Sequence, residues 1–489
     1  MNNNDYDLIL KNGMVVRPNS SEVLQQDIAI KNGKIDRIDT DIQSGDSAKV
    51  INADQKLIFP GLVDAHMHTG IYGPLSTDAR SESAAAAQGG VTSMINYIRT
   101  GQYYLNESGP YSEFFPKVLE QSDGNYFVDY AYHLAPMMGE HIDEIEMLIE
   151  KYGVLSFKIF MFYGSHGLHG KSGNQSDFLM IGEDEKYDIA HFEFIMRGIK
   201  KAMDRFPALK DSISLSLHCE TAEIMTAYTK IVEKDSSLKG LAAYHHSRPP
   251  HSEGLAIFIA SYLAYETDCT NINLLHLTSR KALEAALKME EAFPHINFGK
   301  EVTVGHLLLD IDCPNGAYAK VNPPIRPRED VEYLWSALLD GKIDWVVSDH
   351  ACCAKEIKTD KDDPEDIFLA KSGFGGTEYL LSGLYSEGVK RGLSLNNIAK
   401  LVCLNPAQRY GLKSKGDIQE GFDADLVIFD PEISFTVDSA KSESSQGYSP
   451  FEGYKLNGKV ISTILGGNTV YDQDKIVSNP LGKYLKRPH

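Results

Sequence analysis

The chain has 489 residues, enough for one large barrel with a satellite domain or for two to three ordinary domains. Hydrophobic residues make up 42% and charged residues 24%, and a net charge of −20 excludes the basic face that nucleic-acid binding needs. Six scattered cysteines without a C-x-x-C pair exclude a disulfide framework and a zinc ribbon, and with no basic leader or bilayer-length apolar run the expectation is a cytoplasmic protein with no membrane partner.

Residues 7–13 and 27–33 each place an apolar run before Asn-Gly, which predicts two hairpins, and residues 34–38 continue the strand pattern. The apolar run 57–63 leads directly into Asp64-Ala-His66-Met-His68. Further strands are predicted at 91–95, 127–133, 154–160, 213–218, 272–276 and 345–349, with helical patterns such as 142–152 and 280–292 between them. Strand patterns at 424–429 and 460–471 flank a Ser/Lys/Glu-rich surface loop at 438–446. Repeated βα units predict an α/β fold: a (β/α)8 TIM barrel over 60–414, with a small β-sandwich built by both chain ends, 1–59 and 415–489.

The chemistry-bearing residues gather at the C-terminal ends of those strands, the rim where such barrels build active sites. Side chains alternate along a strand, so His66 and His68 leave the first strand on one face. His218 and His276 end two later strands, Asp349 ends the last, and Lys158 lies inside another. Singly, a strand-end histidine is a hydrogen-bonded structural residue and Asp349 a helix cap; together they predict a metal site. Lys158 sits in the apolar run Phe157-Lys-Ile-Phe-Met-Phe-Tyr163, where burial lowers the pKa of an ammonium. Two readings stay open: a snorkelling or ion-paired lysine, or a neutral amine that takes up carbon dioxide as a carbamate and bridges two metal ions.

Pro60-Gly-Leu-Val-Asp-Ala-His-Met-His68, Ser156-Phe-Lys-Ile-Phe-Met161 with Tyr163, Leu217-His-Cys-Glu220, Ser247-Arg-Pro-Pro250, His276-Leu-Thr-Ser279, Asn322-Pro-Pro-Ile-Arg326 and Ser348-Asp-His350 run through the chain in order. With Asn405-Pro-Ala407, Gly421-Phe-Asp-Ala-Asp425 and Ser449-Pro-Phe-Glu-Gly453 they make the chain resemble the amidohydrolase superfamily, in its cyclic amidohydrolase branch of dihydropyrimidinases, hydantoinases, allantoinases and dihydroorotases. The resemblance implies that His66, His68 and Asp349 hold one divalent metal ion, that His218 and His276 hold another, and that Lys158, as N6-carboxylysine, bridges them. Zinc is the ion it implies, with manganese or iron also suited to the ligands. It further implies a hydroxide between the metals as nucleophile, Asp349 as general base and acid, Tyr163 as oxyanion donor, and a cyclic amide as substrate.

Departures from the family pattern bear on the ring. Dihydroorotases carry an arginine two residues after the His-x-His pair, where this chain has Gly70, so dihydroorotate is disfavoured. Asn322 stands where the dihydropyrimidinase branch has serine, Gly375-Gly-Thr-Glu378 replaces Asn-Gly-x-Glu, and Gly305-His306 replaces Gln-Tyr; Asn322 and Gly375 are expected to contact substrate through their backbone. Tyr163 tips the expectation towards a dihydropyrimidine or hydantoin, with allantoin or a cyclic imide as alternatives and an inactive scaffold of the same fold as a remote one. His166 and His169 in the glycine-rich segment after Tyr163, and His245, His246 and His306, receive no assigned role. Family members are oligomers, so a homotetramer is expected, with the tail Gly482-Lys-Tyr-Leu-Lys-Arg-Pro488 resembling an arm laid on a neighbouring subunit.

Overall fold

A computed structural model of the chain describes residues 6–45, 48–163, 167–168 and 175–489. Eight strands form one parallel sheet in sequence order: Leu62–Met67, Val91–Ile98, Asp129–Leu134, Ser156–Phe160, Ser214–His218, Asn271–Leu274, Asn297–Thr303 and Trp345–Val347. The ends meet where Met67 bridges His350 in parallel and His68 N donates to His350 O at 2.8 Å, so the sheet closes into the expected barrel. The strands are buried nearly throughout, because helices cover the outside and side chains fill the inside.

The seventh strand, Asn297–Thr303, escaped the sequence reading. Its sequence Asn-Phe-Gly-Lys-Glu-Val-Thr carries two charges, yet Lys300 and Glu301 are both buried. Gly299 is required there: a Cβ would lie 2.2 Å from the Trp345 ring on the neighbouring strand.

The second sheet has nine strands, five from Leu8–Val16 to Leu57–Pro60 and four from Leu426–Thr436 to Lys475–Ile476. The two chain ends join where Leu57–Pro60 runs antiparallel to residues 426–429, around a separate apolar core that includes Leu10, Ile28, Ile58, Leu426 and Ile464. Only one of the two Asn-Gly pairs is a turn. Asn32-Gly33 links two paired strands with both residues at positive φ, whereas Asn12-Gly13 is a bulge inside Leu8–Val16, where the register shifts between Leu10 and Gly13.

The segment 438–446 is tied to the barrel: Ser442 Oγ donates to Glu378 Oε1 (2.8 Å) and Ser445 Oγ to Glu82 Oε1 (2.9 Å). The tail 482–489 runs along its own barrel, with Leu485 N donating to Tyr130 O (2.7 Å) and Arg487 Nη2 to Tyr132 O (2.7 Å). Among the described residues no helix is long and apolar enough to cross a membrane, and all six cysteines are buried and unpaired.

Candidate active site

His66 and His68 close the first strand, and Asp349 follows the eighth beside them. Their Nε2 atoms lie 3.1 and 3.2 Å from Asp349 Oδ1, a three-residue cluster with metal-ligand geometry. Asp349 (φ 54°) and His276 (φ 36°) adopt left-handed backbone, which costs about 1–3 kcal/mol for a non-glycine residue and concentrates at functional sites. Burial holds both imidazoles of the pair neutral, the form that binds metal: the pKa of His66 is driven far down by desolvation and then by Lys158, and that of His68 is lowered by desolvation against the pull of Asp349.

Lys158 projects from the fourth strand into the same space. Its Nζ is 3.1 Å from His66 Nε2 and 3.9 Å from the centre of the Tyr97 ring, and it makes no ion pair with a described carboxylate. Desolvation lowers its pKa to about 7, with Asp349 and Glu301 opposing, so the neutral amine is accessible near neutral pH. His218 and His276 face each other across 4.4 Å between ring centres, and His276 lies 5.4 Å from His66.

These residues fit a pair of metal ions. His276 Nδ1 is buried with no hydrogen-bond partner, a state a metal ligand resolves. Nε2 of His218 is committed to Glu220 Oε2 (2.7 Å), which leaves Nδ1 as its ligand atom. His66 Nδ1 donates to Glu301 Oε1 (2.7 Å), orienting Nε2 towards Asp349, the carboxylate–imidazole support typical of metal sites.

The cluster forms one wall of an open cavity lined also by Tyr104, Phe160, Phe162, Tyr163, Asn322 and Gly373. Burial pushes the Tyr163 phenol up and the charge of Arg99 draws it part of the way back, so it is protonated at neutral pH and able to donate. Asn322 is fixed on the opposite side: it accepts from the Tyr244 hydroxyl, and its Nδ2 donates to Leu168 O (2.8 Å).

Comparison with known proteins settles the family. Residues 197–470 match the model of the amidohydrolase family. Allantoinase of Salmonella newport (strain SL254) is 30% identical over 479 residues, 96% of this chain and 95% of that protein. Among solved structures, dihydropyrimidinase from Brevibacillus agri NCHU1002 superposes with a TM-score of 0.83 at 26% identity, over 98% of each chain. L-hydantoinase (dihydropyrimidinase) from Arthrobacter aurescens superposes with a TM-score of 0.84 at 26% identity, over 98% of this chain and 99% of that one. The chain belongs to the amidohydrolase family, in its cyclic amidohydrolase branch.

Of the residues singled out from the sequence, His68, Lys158, Tyr163, His218, His276, Asn322 and Asp349 share this cavity, and His66 stands directly behind it. Gly375 does not: its amide donates to Gln446 Oε1 at 2.5 Å, and Ser372 and Gly373 line the cavity instead. His306 is structural, held between Thr303 Oγ1 (2.7 Å) and Pro323 O (3.1 Å), and His245 Nδ1 accepts from Arg326 (3.1 Å). His246 is exposed, and His166 and His169 fall outside the described residues.

Three supporting groups were missed. Glu301 lies on the unread seventh strand. Glu220 stands two residues after His218 and accepts from Arg248 (2.6 Å), so the Arg of Ser247-Arg-Pro-Pro250 acts by holding a carboxylate against an imidazole. Tyr104, whose hydroxyl bonds His68 Nδ1 (2.6 Å), comes from a loop with no strand or helix pattern to place it.

Proposed function

We propose that this protein opens the ring of a cyclic ureide, a hydantoin or a dihydropyrimidine, by adding water across the ring amide. The observation that carries this reading is that the Tyr163 phenol, Asp349, Lys158 and three histidines line one cavity, with His66 against Asp349 behind it. His66, His68 and Asp349 would hold one divalent cation, zinc or alternatively manganese or iron, and His218 and His276 a second, with Lys158 between them as a carbamate. When bound, the cations would supply a water acidified to a nucleophile and a polarised carbonyl.

The chain's own groups do the rest. Asp349 takes the proton of the attacking water and returns it to the departing ring nitrogen. Its Oδ1 lies against Nε2 of both His66 and His68, and its carboxyl is held below the usual carboxylate range although burial opposes this. Tyr163 donates to the oxyanion as the carbonyl becomes tetrahedral. Phe160 and Phe162 give the ring an apolar wall, and the Asn322 backbone is available to its polar edge.

A second reading, allantoin as substrate, is favoured by the full-length match to allantoinases. The two are close in chemistry, since allantoin is a hydantoin with a ureido group on the ring. Buried unpaired cysteines accord with a reducing, cytoplasmic setting.

The test is ring-opening by the purified, metal-loaded protein of dihydrouracil, hydantoin, a 5-substituted hydantoin, allantoin, dihydroorotate and succinimide. Turnover of hydantoins or dihydrouracil supports the proposal. Turnover of allantoin or the imide alone moves the substrate and keeps the chemistry. A protein that takes up no metal and turns over nothing is a scaffold.

A further inference from the structure

Arg99 follows the second barrel strand at the active-site rim and is fully buried. Among the described residues it has no carboxylate partner. Its Nη1 donates to the neighbouring Thr100 O (2.9 Å), while Nε and Nη2 are buried without a hydrogen-bond partner. The other buried arginines differ. Arg248 and Arg326 are paired with Glu220 and Glu253, and Arg409 and Arg487 are spent on carbonyl and side-chain oxygens of other strands.

What surrounds Arg99 is aromatic. Its guanidinium carbon lies 5.6 Å from the Tyr104 ring centre, 5.1 Å from Tyr163 and 4.8 Å from Phe178. Such faces attract a cation, but a guanidinium taken out of water needs an anion to offset its desolvation. Tyr104 and Tyr163 are also walls of the catalytic cavity, so the unpaired charge stands directly behind the surface a substrate touches.

The local backbone is shaped around this charge. Tyr103, Tyr104, Leu105 and Asn106 all have positive φ (64°, 47°, 66° and 52°), a strained turn that brings the Tyr104 ring against both Arg99 and His68. The turn is closed by Gly101 N donating to Glu107 O at 2.7 Å. Gly101, at φ 105°, keeps space beside the guanidinium, because a Cβ there would lie 3.0 Å from Arg99 Nη1 and 2.7 Å from Leu179 O.

We propose that Arg99 is a specificity-determining residue that pairs with a carboxylate on the ring substituent of the substrate, so that the cyclic amide opened here is an anionic one. This rests on the ring-opening reading above. The cation that the sequence lacks after the His-x-His pair is supplied from the next strand. A carboxylate that passes between the Tyr104 and Tyr163 rings would accept charge-assisted hydrogen bonds from the two unpartnered nitrogens, in surroundings that exclude water. The strained Tyr104 turn sets the distance between that anion and the catalytic histidines.

The experiment compares kcat/KM for hydantoins bearing a carboxymethyl or 2-carboxyethyl group with their neutral primary amides, in wild type, Arg99→Gln and Arg99→Lys. The wild type is expected to prefer at least one acid over its amide by about 30-fold, the size of a charge-assisted hydrogen bond. That ratio should collapse towards one in Arg99→Gln and be partly kept in Arg99→Lys. No acid preference in the wild type, or the same ratio in Arg99→Gln whatever its absolute rate, overturns the proposal; an equal loss for acid and amide would make Arg99 a positioning residue for Tyr163. If the wild type opens no ring at all, thermal protection by glutarate decides separately. Protection of wild type but not Arg99→Gln keeps the anion site while the ring-opening reading falls; protection of neither, or of both, removes the anion site as well.

Discussion

Lys158 is the residue on which the site turns, because its amine lies against His66 and the rings of Tyr97 and Phe160 and, among the described residues, makes no ion pair. A lysine kept for an ion pair would have an acid beside it, whereas a desolvated amine is the form that reacts with carbon dioxide. Lys158→Ala is therefore expected to abolish turnover and lose bound metal, with partial rescue of activity by added short carboxylates. Unchanged metal content and turnover in that variant would eliminate the carbamate. Tyr163→Phe removes one hydroxyl from the cavity wall and leaves the ring packing. It should lower kcat by about 10²–10³, the cost of one oxyanion donor, with metal content unchanged. A wild-type kcat would make Tyr163 structural.

The elements explain what the sequence could and could not disclose. His66, His68, His218 and His276 end strands that announce themselves as apolar runs, so both their chemistry and their place on the rim were legible. Glu301 was not, because its strand hides a lysine and a glutamate in the barrel and reads as polar. Tyr104 and Arg99 were not, because a left-handed turn of ordinary residues has no sequence signature and a buried unpaired arginine resembles a surface one until the fold is known. The docking of the tail on its own barrel was not legible either, because it depends on two glycines, Gly482 and Gly153, whose role shows only in the fold. A Cβ on Gly482 would meet Val128 O at 1.9 Å, and one on Gly153 would meet the Arg487 backbone at 2.6 Å, so both glycines permit close docking in cis. Arg487 then donates to Ser156 Oγ (2.8 Å) and Tyr132 O, beneath the strand that carries Lys158. Arg487→Met should leave these acceptors unsatisfied and cost about 2–3 kcal/mol, seen as a lower melting temperature. An unchanged melting temperature would mean that the tail does not hold the barrel floor in solution.

At the scale of the whole molecule, several large apolar side chains are exposed on three helices of the barrel's outer layer. Ile189 and Phe194 on the helix Ile189–Arg205 are about half exposed, as are Tyr262 and Tyr265 on Pro250–Thr267, and Ile231 on Ala222–Val232 is 61% exposed. The helix Pro250–Thr267 packs against both of the others, so these side chains belong to one side of the barrel. Scattered apolar residues are ordinary on a surface, but several large ones on helices that pack together are where an interaction surface is expected. A net charge of −20 disfavours self-association through polar surface, which leaves burial of this face as the driving force. The homo-oligomer expected from the sequence would then close across these helices. Replacing Phe194 and Ile231 together by aspartate should reduce the sedimenting mass to that of one chain while preserving the circular dichroism of the fold. A wild-type protein that already sediments as a single chain at micromolar concentration, or a double variant whose mass does not change, would place the interface elsewhere or remove it.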